Sequence, residues 1–254
     1  MLAIVANPNT PPTIKYIPNF ITPDEEAHLL AKVYSAPSPK WVALSNRRLQ
    51  NWGATTAKQN STTSLAEPLP DWLNSVAINI RDRTDTFAFV EANSEIGKPG
   101  FTQPLANNCL VNEYLSGQGI MPHLDGPAFK PTVATVSLGS HCVLQFYRKR
   151  SGDDAQELQA DSALPKADYA ILLQPRSLVI IHDEMYDTYL HGIREINADT
   201  FSKADIANWN DAGLGDAETD NDGFVTLERS TRVSLTFRVA AKVSKLNLFG
   251  KRRF

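Results

Sequence analysis

The chain has 254 residues, of which 42% are hydrophobic and 21% charged, with a formal net charge of −3. That length buries a substantial core, and the composition excludes a disordered, collagen-like or disulfide-stapled chain. No apolar run approaches membrane-spanning length, and residues 1–6 lack the basic flank and length of a secretory signal, so an intracellular protein without membrane attachment is expected; a monomer of nucleus and cytoplasm is the accompanying expectation.

Thr22-Pro23-Asp24-Glu25 ahead of Ala27, Leu29, Leu30 and Val33 predicts a helix with Thr22 as cap, Pro23 at the first position and Glu25 at the third, ending before Pro37. Residues 38–70 are rich in Ser, Thr, Asn and Pro and predict irregular or short β structure. Pro70-Asp71-Trp72 opens a second helix running to about Asp85. After Pro104 come short β-rich runs at 108–115, 133–138, 143–148, 170–173, 177–181 and 231–240, divided by turns such as Leu138-Gly139-Ser140-His141-Cys142 and Gln174-Pro175-Arg176-Ser177. The succession argues for a mainly β, α+β chain, a sandwich or jelly roll with an N-terminal helical layer, rather than alternating βα units. Cys109 and Cys142 lie in apolar runs and read as buried free thiols. Residues 196–224, polar and acidic, predict a long surface insertion, partly disordered. One domain over 1–254 is expected: a helical and lid region at about 20–100, a β core at about 105–240 carrying that insertion, and a basic tail at 241–254.

Charge is strongly segregated. Residues 27–66 hold no acid but carry Lys32, Lys40, Arg47, Arg48 and Lys58. Residues 195–224 hold eight acids against Lys203, and 225–254 hold eight basic residues against Glu228. Compensating solvated faces are the plain explanation. Trp41 and Trp52 within the first basic segment point further, because aromatics interleaved with Arg and Lys suit stacked bases and phosphates.

Three extended segments place polar residues two apart, and therefore on one face of a strand: Asn112 with Tyr114, His123 with Asp125, and Arg232, Ser234, Thr236 with Arg238. In the last, Val233, Leu235, Phe237 and Val239 fill the other face, so both arginines point the same way. His191 follows Asp125 by 66 residues. Two histidines and one carboxylate leave about three positions open on an octahedral ion, the arrangement of non-haem Fe(II) oxygenases. His182, near the end of an apolar run, competes as third ligand. His141 reads as solvent-facing or backbone-bonded in its turn, and His28 as a helix residue without a site role. Glu218-x-Asp220-x-Asp222-Gly223 is a near-miss for a calcium loop, since it starts with Glu and has Arg229 where the bidentate Glu belongs.

The run Asn112-Glu113-Tyr114, then Gly119-Ile120-Met121-Pro122-His123-Leu124-Asp125-Gly126-Pro127, Thr135 to Gly139, His191-Gly192-Ile193 and Arg232 to Arg238 resembles the AlkB family of Fe(II)/2-oxoglutarate dioxygenases. Arg48 to Gly53, Gln174 to Leu178 and the tail through Gly250 are similar to its eukaryotic sixth-homologue branch, so the resemblance spans nearly the whole chain. It implies a double-stranded β-helix, iron held by His123, Asp125 and His191, and Arg232 pairing with the distal carboxylate of 2-oxoglutarate. It also implies Asn112, Tyr114 and Arg238 beside that cosubstrate, and O2 as oxidant. His191 is preferred to His182 because Gly192-Ile193 follow it as in the family. The reaction implied is oxidative demethylation of an N-alkylated base in DNA or RNA. From the charge pattern, the basic segments 27–66, with Arg47 and Arg48, and 225–254 are expected to hold phosphates, and Trp52 or Trp41 to stack on a base. A protein or small-molecule hydroxylase with the same iron centre and a nucleic-acid-binding protein with little turnover are the rivals; a zinc hydrolase leaves the paired arginines unexplained.

Overall fold

The computed structural model describes residues 13–56, 64–65, 67–87, 105–149, 165–240 and 243–244. The basic tail from 245 and Lys58 lie outside the described residues. In chain order the elements are β1 (Ile14–Ile17), α1 (Pro23–Tyr34), β2 (Val42–Leu44), β3 (Arg47–Gly53), β4 (Thr55–Thr56), β5 (Ser64–Leu65) and α2 (Asp71–Thr84). They continue with β6 (Asn108–Tyr114), β7 (Ile120–His123), β8 (Phe129–Gly139), β9 (Cys142–Arg148), β10 (Tyr169–Leu173), β11 (Leu178–His182) and α3 (Asp183–Asp187). Last come β12 (Tyr189–Ile193), β13 (Ala198–Ser202), β14 (Phe224–Glu228), β15 (Arg232–Ala240) and β16 (Val243–Ser244).

Both predicted helices form. Thr22 Oγ1 accepts from Glu25 N at 3.2 Å while Glu25 Oε2 accepts from Thr22 N at 2.7 Å, a reciprocal cap that satisfies two otherwise unpaired donors. The second helix ends at Asp85 in a left-handed conformation, φ 54°. Their apolar stripes, Leu29 and Val33 on α1 and Leu73, Val76, Ala77 and Ile80 on α2, are buried in one core with Cys109, Val111, Val136, Leu138, Ile180, Val233, Leu235 and Phe237. Those strand residues belong to a seven-stranded sheet ordered β1-β11-β8-β15-β6-β3-β2. Each fully buried Leu, Ile or Phe contributes about 1.5–3 kcal/mol relative to exposure.

The opposite face of this sheet meets a smaller one ordered β10-β9-β12-β7. Val133, Val179 and Ile181 from the larger sheet and Cys142, Leu144, Phe146, Ile171 and Leu173 from the smaller form a second core between them. The period-2 alternation read on β15 is realised: the apolar set packs under the helices and Arg232, Ser234, Thr236 and Arg238 look into the space between the sheets. Cys109 and Cys142 are both buried free thiols, one in each core.

Two expectations need correction. The segment 38–70 contributes a full seven-residue strand, β3, paired along β6 from Arg48–Glu113 to Gly53–Asn108. The buried Gln50 masks its pattern; its Nε2 donates to Val33 O at 2.9 Å and its Oε1 accepts from Trp52 Nε1 at 2.8 Å. The acidic insertion is ordered and packed. Strands β13 and β14 pair antiparallel, and Phe201, Ile206, Trp209, Leu214 and Val225 make a third core against Val143, Ala170 and Leu172 on the outer face of the smaller sheet. Asn208 anchors it by exchanging both amide bonds with Leu172, at 2.8 and 2.9 Å.

Candidate active site

Strands β7 and β12 pair with His191 directly opposite His123. The rings lie 4.5 Å apart between centroids. Close approach depends on Gly192, where an added Cβ would fall 2.9 Å from Pro122 N and 3.0 Å from Ile120 O. Asp125 follows β7 and brings its Oδ2 to 3.9 Å from His191 Nε2. Its Oδ1 accepts from Arg238 Nη1 at 2.9 Å. The described residues hold no trio of donors already drawn into ligand geometry; here Asp125 is turned toward Arg238 instead.

The protonation states nevertheless suit a divalent transition metal, which requires a carboxylate and neutral imidazoles. Burial raises the Asp125 pKa, but Arg238, His191 and His123 together outweigh it and hold the group below the ordinary carboxylate range. Burial pushes His191 down to about 4, so it is neutral at physiological pH. His123 places Nδ1 2.9 Å from Met121 O. A carbonyl can only accept, so Nδ1 carries a proton, and Nε2 is the ring nitrogen left to face a metal.

These side chains line a cavity of about 220 Å3 between the sheets, walled on its apolar side by Leu144, Leu173, Val179 and Ile181. Arg232 lies in it, 4% exposed. Its Nη2 donates to Ser137 Oγ at 2.9 Å and its Nε has no partner. Among the described residues no carboxylate pairs with it. A buried guanidinium without an anion is costly, and its planar fork suits an incoming carboxylate. Tyr114, also lining the cavity, has its pKa pushed up to about 12 by burial and stays a hydroxyl donor.

Of the sequence-predicted residues, the cavity brings together His123, Asp125, His191, Asn112, Tyr114, Arg232, Arg238 and Arg47. Arg48 and Trp52 stand on the other face of β3. Arg48 pairs with Glu113 at 2.6 and 2.9 Å and stacks over Trp41 at 4.2 Å. Trp52 packs edge-on to Trp72, 5.9 Å between centroids, under Lys40. Neither reaches the cavity, because neighbours on a strand point oppositely. His182 is outside it too, with Nδ1 2.7 Å from Asp183 Oδ2. His28 is an exposed residue of α1, as expected.

His141 is not solvent-facing, and among the described residues no backbone group bonds its ring. It is buried, with Nε2 3.3 Å from Asp199 Oδ2, and Asp199 in turn takes two bonds from Arg229 at 2.6 and 2.7 Å. Sequence reasoning also passed over Ser137; its signal was the Thr135-x-Ser137 alternation on β8, matching that of β15. A larger cleft, about 510 Å3, lies on the outer face of the smaller sheet above Asp199 and Arg229. It contains none of the histidines, and its buried charges are already paired.

The family model of the 2OG-Fe(II) oxygenase superfamily matches residues 13–238. A Danio rerio protein described as a probable RNA/DNA demethylase, ALKBH6, is 43% identical over 243 residues, covering 94% of this chain and 90% of that protein. A Xenopus tropicalis protein named tRNA (carboxymethyluridine(34)-5-O)-methyltransferase alkbh8 is 26% identical over 237 residues, covering 92% of this chain and 32% of that one. The solved structure of OsALKBH1 superposes with a TM-score of 0.54 at 14% identity, over 91% of this chain and 98% of that one, a likeness of fold.

Proposed function

The chain belongs to the AlkB family of the 2OG-Fe(II) oxygenase superfamily, and from that premise we propose that this dioxygenase removes alkyl groups from N-alkylated bases in nucleic acid. The substrate part rests on the Danio rerio relative's description as an RNA/DNA demethylase. The observation that carries the chemistry is the convergence of His123, Asp125 and His191 in one cavity with a buried Arg232 that no carboxylate of the described residues pairs. Strands β6 to β12 and β15 interleave between the two sheets, which supports a double-stranded β-helix as the detailed fold.

When bound, Fe(II) with 2-oxoglutarate and O2 supplies oxidative decarboxylation to succinate and CO2 coupled to hydroxylation of a C–H bond. His123 Nε2, Asp125 and His191 would hold the metal. Arg232 would grip the distal carboxylate of the cosubstrate through its fork, with Tyr114 donating a hydrogen bond alongside. Asn112 and Arg238 would contact the rest of that molecule, while Arg238 keeps Asp125 ionised. The apolar wall keeps bulk water from the reacting carbon. A hydroxylated N-methyl group then falls away as formaldehyde.

The test is anaerobic binding of Fe(II) and 2-oxoglutarate, followed by a screen for succinate with methylated single-stranded DNA, methylated RNA and methylated peptides. Succinate and formaldehyde with a methylated oligonucleotide are expected. One observation favours a second reading, a protein or small-molecule hydroxylase: Arg48 and Trp52 face away from the cavity, leaving Arg47 as the residue of the 27–66 segment that lines it among the described residues. Succinate with peptides alone would establish that reading, and oligonucleotide binding without succinate would point to a binding protein with little turnover.

A further inference from the structure

Two asparagines on one face of β6 are held in the same way and left in different states. Asn108 Oδ1 accepts from Arg238 Nε at 3.1 Å, and Asn112 Oδ1 accepts from Arg47 Nε at 3.1 Å. At Asn108 the amide nitrogen is spent, donating to Trp52 O at 3.3 Å and Ala54 O at 2.9 Å. At Asn112, 5% exposed, the amide nitrogen has no such partner among the described residues, and the residue lines the cavity. An arginine only donates. With Arg47 on Oδ1 the amide cannot flip, and both Nδ2 hydrogens are kept for an acceptor within the cavity.

Arg47 comes from the first position of β3, where Arg48 pairs with Glu113 and Leu49 with Asn112, so it reaches Asn112 on the diagonal. It has no carboxylate partner among the described residues, unlike Arg48 on the opposite face. The turn before it is tied to the segment after β12 by Asn46 Nδ2 donating to Glu195 Oε1, four residues after His191. The β2–β3 hairpin is therefore joined to the cavity through one side chain, and that side chain ends on a residue assigned above to the cosubstrate.

We propose that Arg47 is a positioning residue for cosubstrate binding: it locks the Asn112 amide with its donors toward 2-oxoglutarate and thereby couples the β2–β3 hairpin to cosubstrate affinity. The inference rests on the dioxygenase reading of the cavity. Coupling of this kind is reciprocal, so anything that fixes the hairpin tightens 2-oxoglutarate, and 2-oxoglutarate fixes the hairpin.

The experiment is an anaerobic titration of 2-oxoglutarate into the Fe(II)-loaded protein, followed by the visible charge-transfer absorption of the complex. Arg47→Met is expected to weaken binding about tenfold, the size of one missing charge-assisted hydrogen bond. Asn112→Ala is expected to weaken it as much or more, and adding Arg47→Met to Asn112→Ala is expected to change nothing further, since the lock then has nothing to hold. Arg47→Lys, which keeps a donor for Asn112 Oδ1, should stay within a few-fold of the unaltered chain, and it carries the test where Arg47→Met does not fold. Unchanged affinity in Arg47→Met, additive losses in the double variant, or a lysine variant as weak as the methionine one would each overturn the proposal. Arg232→Ala is titrated in parallel. If it too binds 2-oxoglutarate normally, the cosubstrate reading itself fails, rather than the role of Arg47.

Discussion

At the scale of single residues, the candidate centre is set by three donors with no spare. His123→Ala, Asp125→Ala and His191→Ala are each expected to abolish Fe(II)-dependent decarboxylation of 2-oxoglutarate, measured as succinate, while His182→Ala keeps most of it. Activity lost in His182→Ala and kept in His191→Ala would reverse the assignment of the third ligand. Protonation makes a second prediction, for the metal-free protein. His191 is held down to about 4 by burial, against an ordinary value of 6.5 in an unfolded chain. The unfolded state therefore takes up the proton first. His191 thus costs the fold nothing above pH 6.5 and destabilises it progressively as the pH falls toward 4. Unfolding free energies from urea titrations should drop through that window, by up to about 1.4 kcal/mol per pH unit, and His191→Asn should flatten the drop. An equal slope in both proteins would refute it.

At the scale of elements, the approach of β7 to β12 is what sets His123 against His191, and it needs a residue without a side chain. Gly192→Ala should push the strands apart at Pro122 and Ile120, and Fe(II) affinity is expected to fall about tenfold or more, since small misplacements of a ligand are costly. Equilibrium dialysis of the variant, with its melting temperature as a control, checks this. Strands with clean alternation were readable in advance: β15 separates its arginines from Val233, Leu235, Phe237 and Val239 by simple parity. The faces of β3 were not. A cavity and open solvent both accept Arg, so hydrophobic pattern cannot tell Arg47, inside, from Arg48, outside. Trp52 looked like a stacking platform for the same reason; the structure sets it against Trp72 and Gln50, outside the cavity. The insertion hid its order differently: Phe201, Ile206, Trp209 and Leu214 follow no strand or helix period, and their partners Val143 and Leu172 lie far back along the chain. His141 was misread because what buries it, Asp199, comes from that insertion.

At the scale of the whole molecule, two sheets and a helical layer fit the pattern of short strands and capped helices, and among the described residues no helix is long and apolar enough to cross a membrane. Binding to nucleic acid would be an electrostatic property of the full chain. Removing residues 245–254, which carry Lys245, Lys251, Arg252 and Arg253, is expected to flatten the dependence of oligonucleotide affinity on salt. The slope of log K against log salt should change by about 0.7–0.9 for each phosphate that the tail neutralises, with 2-oxoglutarate binding unchanged; an identical slope would separate the tail from the interface. Cys109 lies beneath the helices and Cys142 between the sheets, and burial pushes both thiols well above their ordinary pKa, so neither reacts until its own core opens. The chain thus carries two native clocks. Modification of Cys109 by a thiol reagent times the peeling of the helical layer, and modification of Cys142 times the parting of the sheets that enclose the cavity. Bound Fe(II) and 2-oxoglutarate should slow the second clock far more than the first, and equal slowing would mean that the two cores open as one.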